Sequence, residues 1–249
     1  MRSNQVKSAT RVLDLLEYLS RPATAKRVTD IANALDIPQS SASMLLGTLE
    51  ARGYIERHGR EYRIARRYVE FGWVAGELGI LIRASKPYMA RLTDQTGEST
   101  FLGVLTSNRE MEYVEKVTSA SPLRYDAELG TRAAYATTNG LVLLAGLSDA
   151  GLETYISTTS FKALTPVTIT DKEQLLEEIQ RVRRQGYATL IDSHVVGAAG
   201  VSAAVRNQQG ETVAAICVIA PVSRFKTKAQ AITDALLNTC KEISSNLPT

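Results

Sequence analysis

Apolar positions along the chain change their period several times, and each change marks an element. Val12, Leu15, Leu16 and Leu19 repeat at three and four, which predicts a helix capped by Ser8. It should close near Ser20, because Pro22 disfavours helical geometry in the residue before it. Ile31, Ala32 and Leu35 open a second helical pattern, Asp36-Ile37-Pro38 breaks it, and a third runs from Gln39 to a stop at Gly53. That third helix should bury Leu45, Leu46 and Leu49 and leave Ser40, Ser41, Ser43 and Gly47 outside. Period two then takes over in residues 54–57 and 61–64 around His58-Gly59-Arg60, which predicts a β-hairpin. Helix, tight turn, helix and hairpin together describe a winged helix-turn-helix.

Beyond it the pattern is mixed. Residues 66–82 read as a linker helix carrying Tyr68, Val69, Trp73, Val74 and Leu78, and Trp73 is an anchor either against a second subunit or within its own chain. A helix over 86–96 follows, then strands over 99–105, 111–117 and 123–125, a buried helix over 138–147 and a charged helix over 171–185 ending at Gly186. Strands recur over 187–191, 201–205 and 212–219, with Asn207-Gln208-Gln209-Gly210 as the turn between the last two, and a helix over 228–246 closes the chain. Strands and helices with several hairpins predict an α+β domain on an antiparallel sheet, the kind that encloses one small pocket. The expected domains are therefore 1–65, a linker over 66–82, and 83–249.

Charge adds a partner to this picture. Residues 1–67 hold 12 Lys and Arg against 7 Asp and Glu, whereas the rest holds 17 against 19, so the small net charge of +3 conceals a basic front. A basic helix-turn-helix fits double-stranded DNA, since each cation beside a phosphate releases condensed counterions, although a solvated basic face has the same composition. The candidate contacts are Gln39, Ser40, Ser41, Ser43, Met44 and Thr48 on the third helix, Arg57, His58, Arg60 and Arg63 on the wing, and Arg2 and Lys7 on a short arm. Small hydroxyl side chains at the helix start approach phosphates and base edges without steric conflict. The arm could reach a minor groove or be only a frayed end.

No apolar run approaches the roughly 18 residues of a membrane span, and the first residues lack a signal-peptide core, which leads to the expectation of a cytoplasmic protein with no membrane partner. Cys217 and Cys240 have neither metal-ligand spacing nor a disulfide framework, so no metal and no cofactor are expected. Catalysis has little to work with: the only histidines are His58 and His194, no nucleophile elbow accompanies Asp192 and His194, and Gly197-x-x-Gly200 is too short for a dinucleotide fingerprint. A hydrolase-type enzyme is the weakest of the readings, and a sensor that works through protein partners without DNA is the stronger rival to a DNA-binding regulator.

Taken over the whole chain, the sequence resembles the IclR family of bacterial transcriptional regulators. Ile37-Pro38-Gln39-Ser40-Ser41-Ala42 is similar to the family's Leu-Pro-x-Ser-Thr-Val turn and helix start. Residues 135–140 resemble its His-Ala-x-x-x-Gly-Lys segment, Thr165 to Asp171 its Thr-x-x-Thr-Ile-x-Asp segment, and Gly186-Tyr187-Ala188 with residues 214–221 its late motifs. The resemblance implies a GAF-like effector domain, a homodimer or homotetramer, paired winged helices on half-sites of a palindromic operator, and control of a nearby operon, most simply as repressor of a catabolic one. It also implies a small-molecule pocket among Thr138, Asn139, Leu190, Asp192, His194, Gly200, Cys217 and Ile219. Three departures stand out: Met44 where the family often has Arg, Gly140-Leu141 for Gly-Lys, and Asp192-Ser193 for a pair of acids. Because the implied lining is mostly apolar, the expected effector is an aromatic or partly apolar acid.

Overall fold

The computed structural model describes residues 6–20, 26–65 and 76–247. Two compact units meet between Arg83 and Ala84. Trp73, most of the expected linker helix and Arg2 lie outside the described residues.

The first unit holds α1 (Lys7–Ser20), β1 (Lys26–Arg27), α2 (Val28–Ala34), α3 (Gln39–Ala51), β2 (Ile55–His58) and β3 (Glu61–Ile64). Lys7 is the first residue of α1 and not part of an arm. Leu15, Ile31, Leu46, Leu49, Ile55 and Ile64 form one core, which is why the helical and the alternating patterns meet here. Asp36 takes φ 49° in the turn before α3, and Gly53, at φ 72°, ends that helix. The hairpin is tighter than its sequence predicts. His58 pairs with Glu61, leaving a two-residue turn whose first position, Gly59, has φ 62°. A third strand, β1, joins the far edge of β3 through Lys26↔Tyr62 and Arg27↔Glu61. Two polar residues carry no strand signal of their own.

The second unit is built on a six-stranded antiparallel sheet. Its strands are β4 (Ser99–Leu105), β5 (Met111–Val117), β6 (Gly130–Arg132), β7 (Tyr187–Ile191), β8 (Ala198–Arg206) and β9 (Thr212–Pro221), in the order β6-β5-β4-β9-β8-β7. The helices are α4 (Gly76–Thr96), of which only the part from Ala84 belongs to this unit, α5 (Thr138–Ala145), α6 (Asp149–Thr158), α7 (Lys172–Gln185) and α8 (Val222–Asn246), with a 3-10 turn at Ala134–Ala136. On one face Phe101, Tyr113 and Cys217 pack with Leu141, Leu144 and Leu175 of the α5 and α7 layer. On the other, Thr100 of β4 bonds to the Met89 carbonyl of α4 and Cys240 of α8 approaches the Ala203 carbonyl of β8 at 3.7 Å. Alternation along buried strands therefore serves two helical layers, and both sides read as apolar.

Two expected elements come out differently, and one helix is present beyond those expected. Residues 123–125 are not a strand: Leu123 is 69% exposed, and its carbonyl accepts from the Arg224 guanidinium in place of a neighbouring strand. The edge strand lies further on, at β6. The helix expected over 86–96 is continuous with the one before it, since Leu81, Ser85, Met89, Leu92 and Thr96 form one buried stripe through Pro87. The sequence reading leaves α6 unassigned, although Ser148 caps it by accepting from the Gly151 N–H at 3.2 Å.

The cap of α7 is the best formed. Asp171 Oδ1 accepts from the Gln174 N–H at 2.9 Å, and Gly186 ends the helix at φ 84°. Replacing Asp171 with Ala is expected to cost about 1 kcal/mol, seen as a fall in Tm of about 2–4 °C for a chain of this size. An unchanged thermal melt would show that the cap contributes nothing.

Candidate functional site

Two surfaces carry the candidate chemistry, one in each unit. In the first, α3 buries Ala42, Leu46 and Leu49 and half-buries Leu45. Gln39, Ser40, Ser43, Met44 and Thr48 are exposed, with Met44 at 73%, and Ser41 is half-buried. The Thr48 hydroxyl turns back to donate to the Met44 carbonyl at 2.9 Å. The wing cations differ more than the sequence suggests. Arg63 is paired with Glu56 at 3.0 Å, His58 lies 3.6 Å from the same carboxylate, and Arg57 donates to the Gly59 carbonyl with its guanidinium 5.6 Å from the Tyr62 ring. Arg60, at the turn, makes no ion pair among the described residues, so its charge is the most available to a phosphate.

The second surface is a small cleft, open to solvent, on the α5 face of the sheet. Arg132 of β6 and Tyr113 of β5 line one side, Leu190 of β7 and Ser193 to Val195 the other, and Thr137 and Thr138 lie at the start of α5. Ala198, Ala199, Gly200 and Ile219 contribute from β8 and β9. Thr137, not Thr138, caps α5, accepting from the Gly140 N–H at 3.1 Å. Gly200 keeps the wall thin: a methyl group there would come to 3.4 Å from both Thr138 Oγ1 and Ile219.

Of the residues named from the sequence, Thr138, Leu190, His194, Gly200 and Ile219 line this cleft, and Asn139, Asp192 and Cys217 do not. Asn139 is fully buried against the sheet, donating to the Phe101 carbonyl and accepting from the Ser202 hydroxyl. Asp192 shapes the loop from below: at φ 59° its carboxylate accepts from the Gly197 N–H at 2.6 Å. The same loop is pinned by Thr165 and Thr168, whose hydroxyls donate to the Ser193 carbonyl at 3.1 and 2.6 Å. Cys217 sits behind the lining near the Tyr113 hydroxyl, and burial pushes its thiol up to about 12.

The cleft is also less apolar than expected. Tyr113, Tyr125 and Arg132 are lining residues that the sequence does not single out, and Ser193, noted there only as a departure from an acidic pair, joins them. Burial raises both tyrosines above the ordinary phenol value, and the charge on Arg132 partly opposes it, so both rings are neutral. Burial, and behind it Arg132, holds His194 below the ordinary imidazole value, and it is neutral at neutral pH. Among the described residues no group of three or more His, Cys, Asp or Glu side chains could hold a metal ion, and no helix is long and apolar enough to cross a membrane.

Residues 76–245 match the family of bacterial transcriptional regulator IclR C-terminal domains, and residues 8–59 match the IclR helix-turn-helix domain. This chain belongs to the IclR family. The HTH-type transcriptional regulator XynR of Escherichia coli K12 is 30% identical over 223 residues, covering 88% of each chain. The HTH-type transcriptional repressor AllR of Salmonella typhi is 29% identical over 252 residues, covering 95% of this chain and 88% of its own. Among solved structures, a transcriptional regulator from Rhodococcus sp. RHA1 superposes with a TM-score of 0.76 at 27% identity over 98% of both chains. An IclR homologue from Microbacterium hydrocarbonoxydans, complexed with 4-hydroxybenzoate, gives 0.75 at 24% identity over 96% of this chain and 98% of that one. As an IclR protein the chain is a bacterial transcriptional regulator and not an enzyme, with a DNA-binding helix-turn-helix and a ligand-binding C-terminal domain.

Proposed function

We propose that this IclR protein is a repressor of a catabolic operon, released by an aromatic or partly apolar acid bound in the cleft of its second unit. The observation that carries the DNA half is the exposed, small and polar N-terminal part of α3, flanked by the wing with Arg60 at its turn. The ligand half is supported by the rings of Tyr113 and Tyr125 and the side chains of Leu190 and Ile219, walls suited to a flat or apolar body. That a structural neighbour holds 4-hydroxybenzoate accords with this chemistry, and the AllR relatives are repressors by name. Two winged helices, one from each subunit of a dimer or of half a tetramer, occupy half-sites of a palindromic operator. An acid that binds more tightly to the DNA-free arrangement shifts the population by that difference in affinity and by no more.

Gel shift with the chain's own upstream DNA tests the first half. Six phosphate contacts or more predict a loss of affinity of about a thousandfold between 50 and 200 mM salt. Indifference to that DNA would favour a sensor acting through protein partners. Calorimetry with aromatic acids against short keto-acids tests the second half, and tight binding of the keto-acids alone would refute it.

A further inference from the structure

Two groups in the cleft have bonding capacity that the protein leaves unused. Arg132 spends Nη1 on the Thr131 carbonyl at 2.7 Å and Nη2 on the Glu128 carbonyl at 3.0 Å. Both partners are neutral, and among the described residues Arg132 makes no ion pair, so the half-buried lining carries one uncompensated positive charge with N–H groups to spare. Ser193 is 4% exposed, and its hydroxyl oxygen is buried with no partner. A buried hydroxyl left without a partner costs stability. Its position is nonetheless fixed, because Thr165 and Thr168 hold the Ser193 carbonyl and Asp192 holds the turn that follows. The protein thus holds an unsatisfied donor in place on the same cleft as an unpaired guanidinium.

Three of the polar positions to which the family resemblance points are engaged elsewhere, while Thr138 and His194 remain on the cleft. Asn139 is committed to Phe101 and Ser202, Asp192 to Gly197, and Cys217 lies behind the wall. We infer that Arg132 and Ser193 read the carboxylate of the effector, so that the cleft selects monoanions in which one carboxylate projects from a flat or apolar body. The guanidinium supplies the charge complement and a planar pair of donors, the shape in which carboxylates are bound most strongly. The serine hydroxyl supplies a third donor. One cation balances one anion; a second carboxylate would have to lie among Tyr113, Leu190 and Ile219 without a countercharge.

This inference rests on the cleft being the effector site, and the test separates the two. Calorimetry on the full chain would use 4-hydroxybenzoate, its neutral analogue 4-hydroxybenzamide and the dianion terephthalate. The unsubstituted protein is expected to prefer the acid over both others by at least about tenfold. Arg132→Gln should make acid and amide equal, Arg132→Lys should restore part of the preference, and Ser193→Ala should weaken the acid about fivefold with little effect on the amide. Ser193→Ala has a second readout: since it removes a buried hydroxyl without a partner, the ligand-free Tm should hold or rise, whereas a merely structural serine would lower it. If Arg132→Gln keeps the acid preference, the carboxylate assignment is wrong while the cleft stands as the effector site. If neither acid nor amide binds, both the assignment and the aromatic-acid reading fall.

Discussion

Gly140→Ala is expected to unfold the second unit at a temperature about 6–12 °C lower, a loss of at least about 3 kcal/mol. On helix propensity alone the change should gain about 1 kcal/mol, since alanine is the better helix former. Packing reverses the sign. A Cβ at position 140 would lie 2.0 Å from the Ala134 carbonyl oxygen, 2.4 Å from its Cα and 2.5 Å from its carbonyl carbon, all backbone atoms of the turn against which α5 starts. None of these can swing aside as a side chain would. To accommodate the methyl group the turn and the helix must part, and Thr137 and Thr138, which line the cleft, move with them. Ligand binding should fail together with stability. Gly47 on α3 is the matched control: a Cβ there meets nothing within 4 Å, so Gly47→Ala should hold or raise the Tm. Equal melting of Gly140→Ala and the unsubstituted chain would show that the close approach is not a constraint in solution.

Ser43→Glu is expected to abolish operator binding, with a loss of at least about a hundredfold at moderate salt and no change in Tm. Ser43 is exposed on α3 and makes no contribution to the core that Leu46 and Leu49 form with Leu15 and Ile31. Glutamate is a good helix former, so the fold should tolerate it. Its charge would face phosphates, and like charges brought together across an interface cost several kcal/mol. Ser43→Ala should cost only a few-fold, which separates charge from lost hydrogen bonding. If gel shifts showed the glutamate variant binding as before, the DNA would have to lie on another face of the unit.

Much of this organisation is legible in sequence because local chemistry and burial agree. The breaks at Pro38 and Gly53, the cap at Asp171 and the stop at Gly186 each act within a few residues of the element they bound. What is not legible depends on distant partners. Lys26 and Arg27 become a strand where β3 offers its free edge, and residues 123–125 stay outside the sheet with the Leu123 carbonyl taken by Arg224 from a hundred residues away. The same holds for the cleft. Thr138, Leu190, His194, Gly200 and Ile219 fall where the family motifs point, whereas Tyr113 and Arg132 come from β5 and β6 at the other edge of the sheet and Tyr125 from the loop between them. A cation two residues before the buried Ala134-Tyr135-Ala136 turn was the available signal for Arg132, and reading it required knowing that β6 is an edge.

Pro87 has a consequence for where α4 gives way. It sits inside α4 and has no N–H to offer the carbonyl four residues earlier, at Arg83, the last residue before the second unit begins. A helix is stiff because every turn is tied to the next, and Pro87, with no N–H, cannot supply one such tie within α4. Bending therefore concentrates in that turn. Local opening of α4 is expected to begin in the turn over residues 83–87.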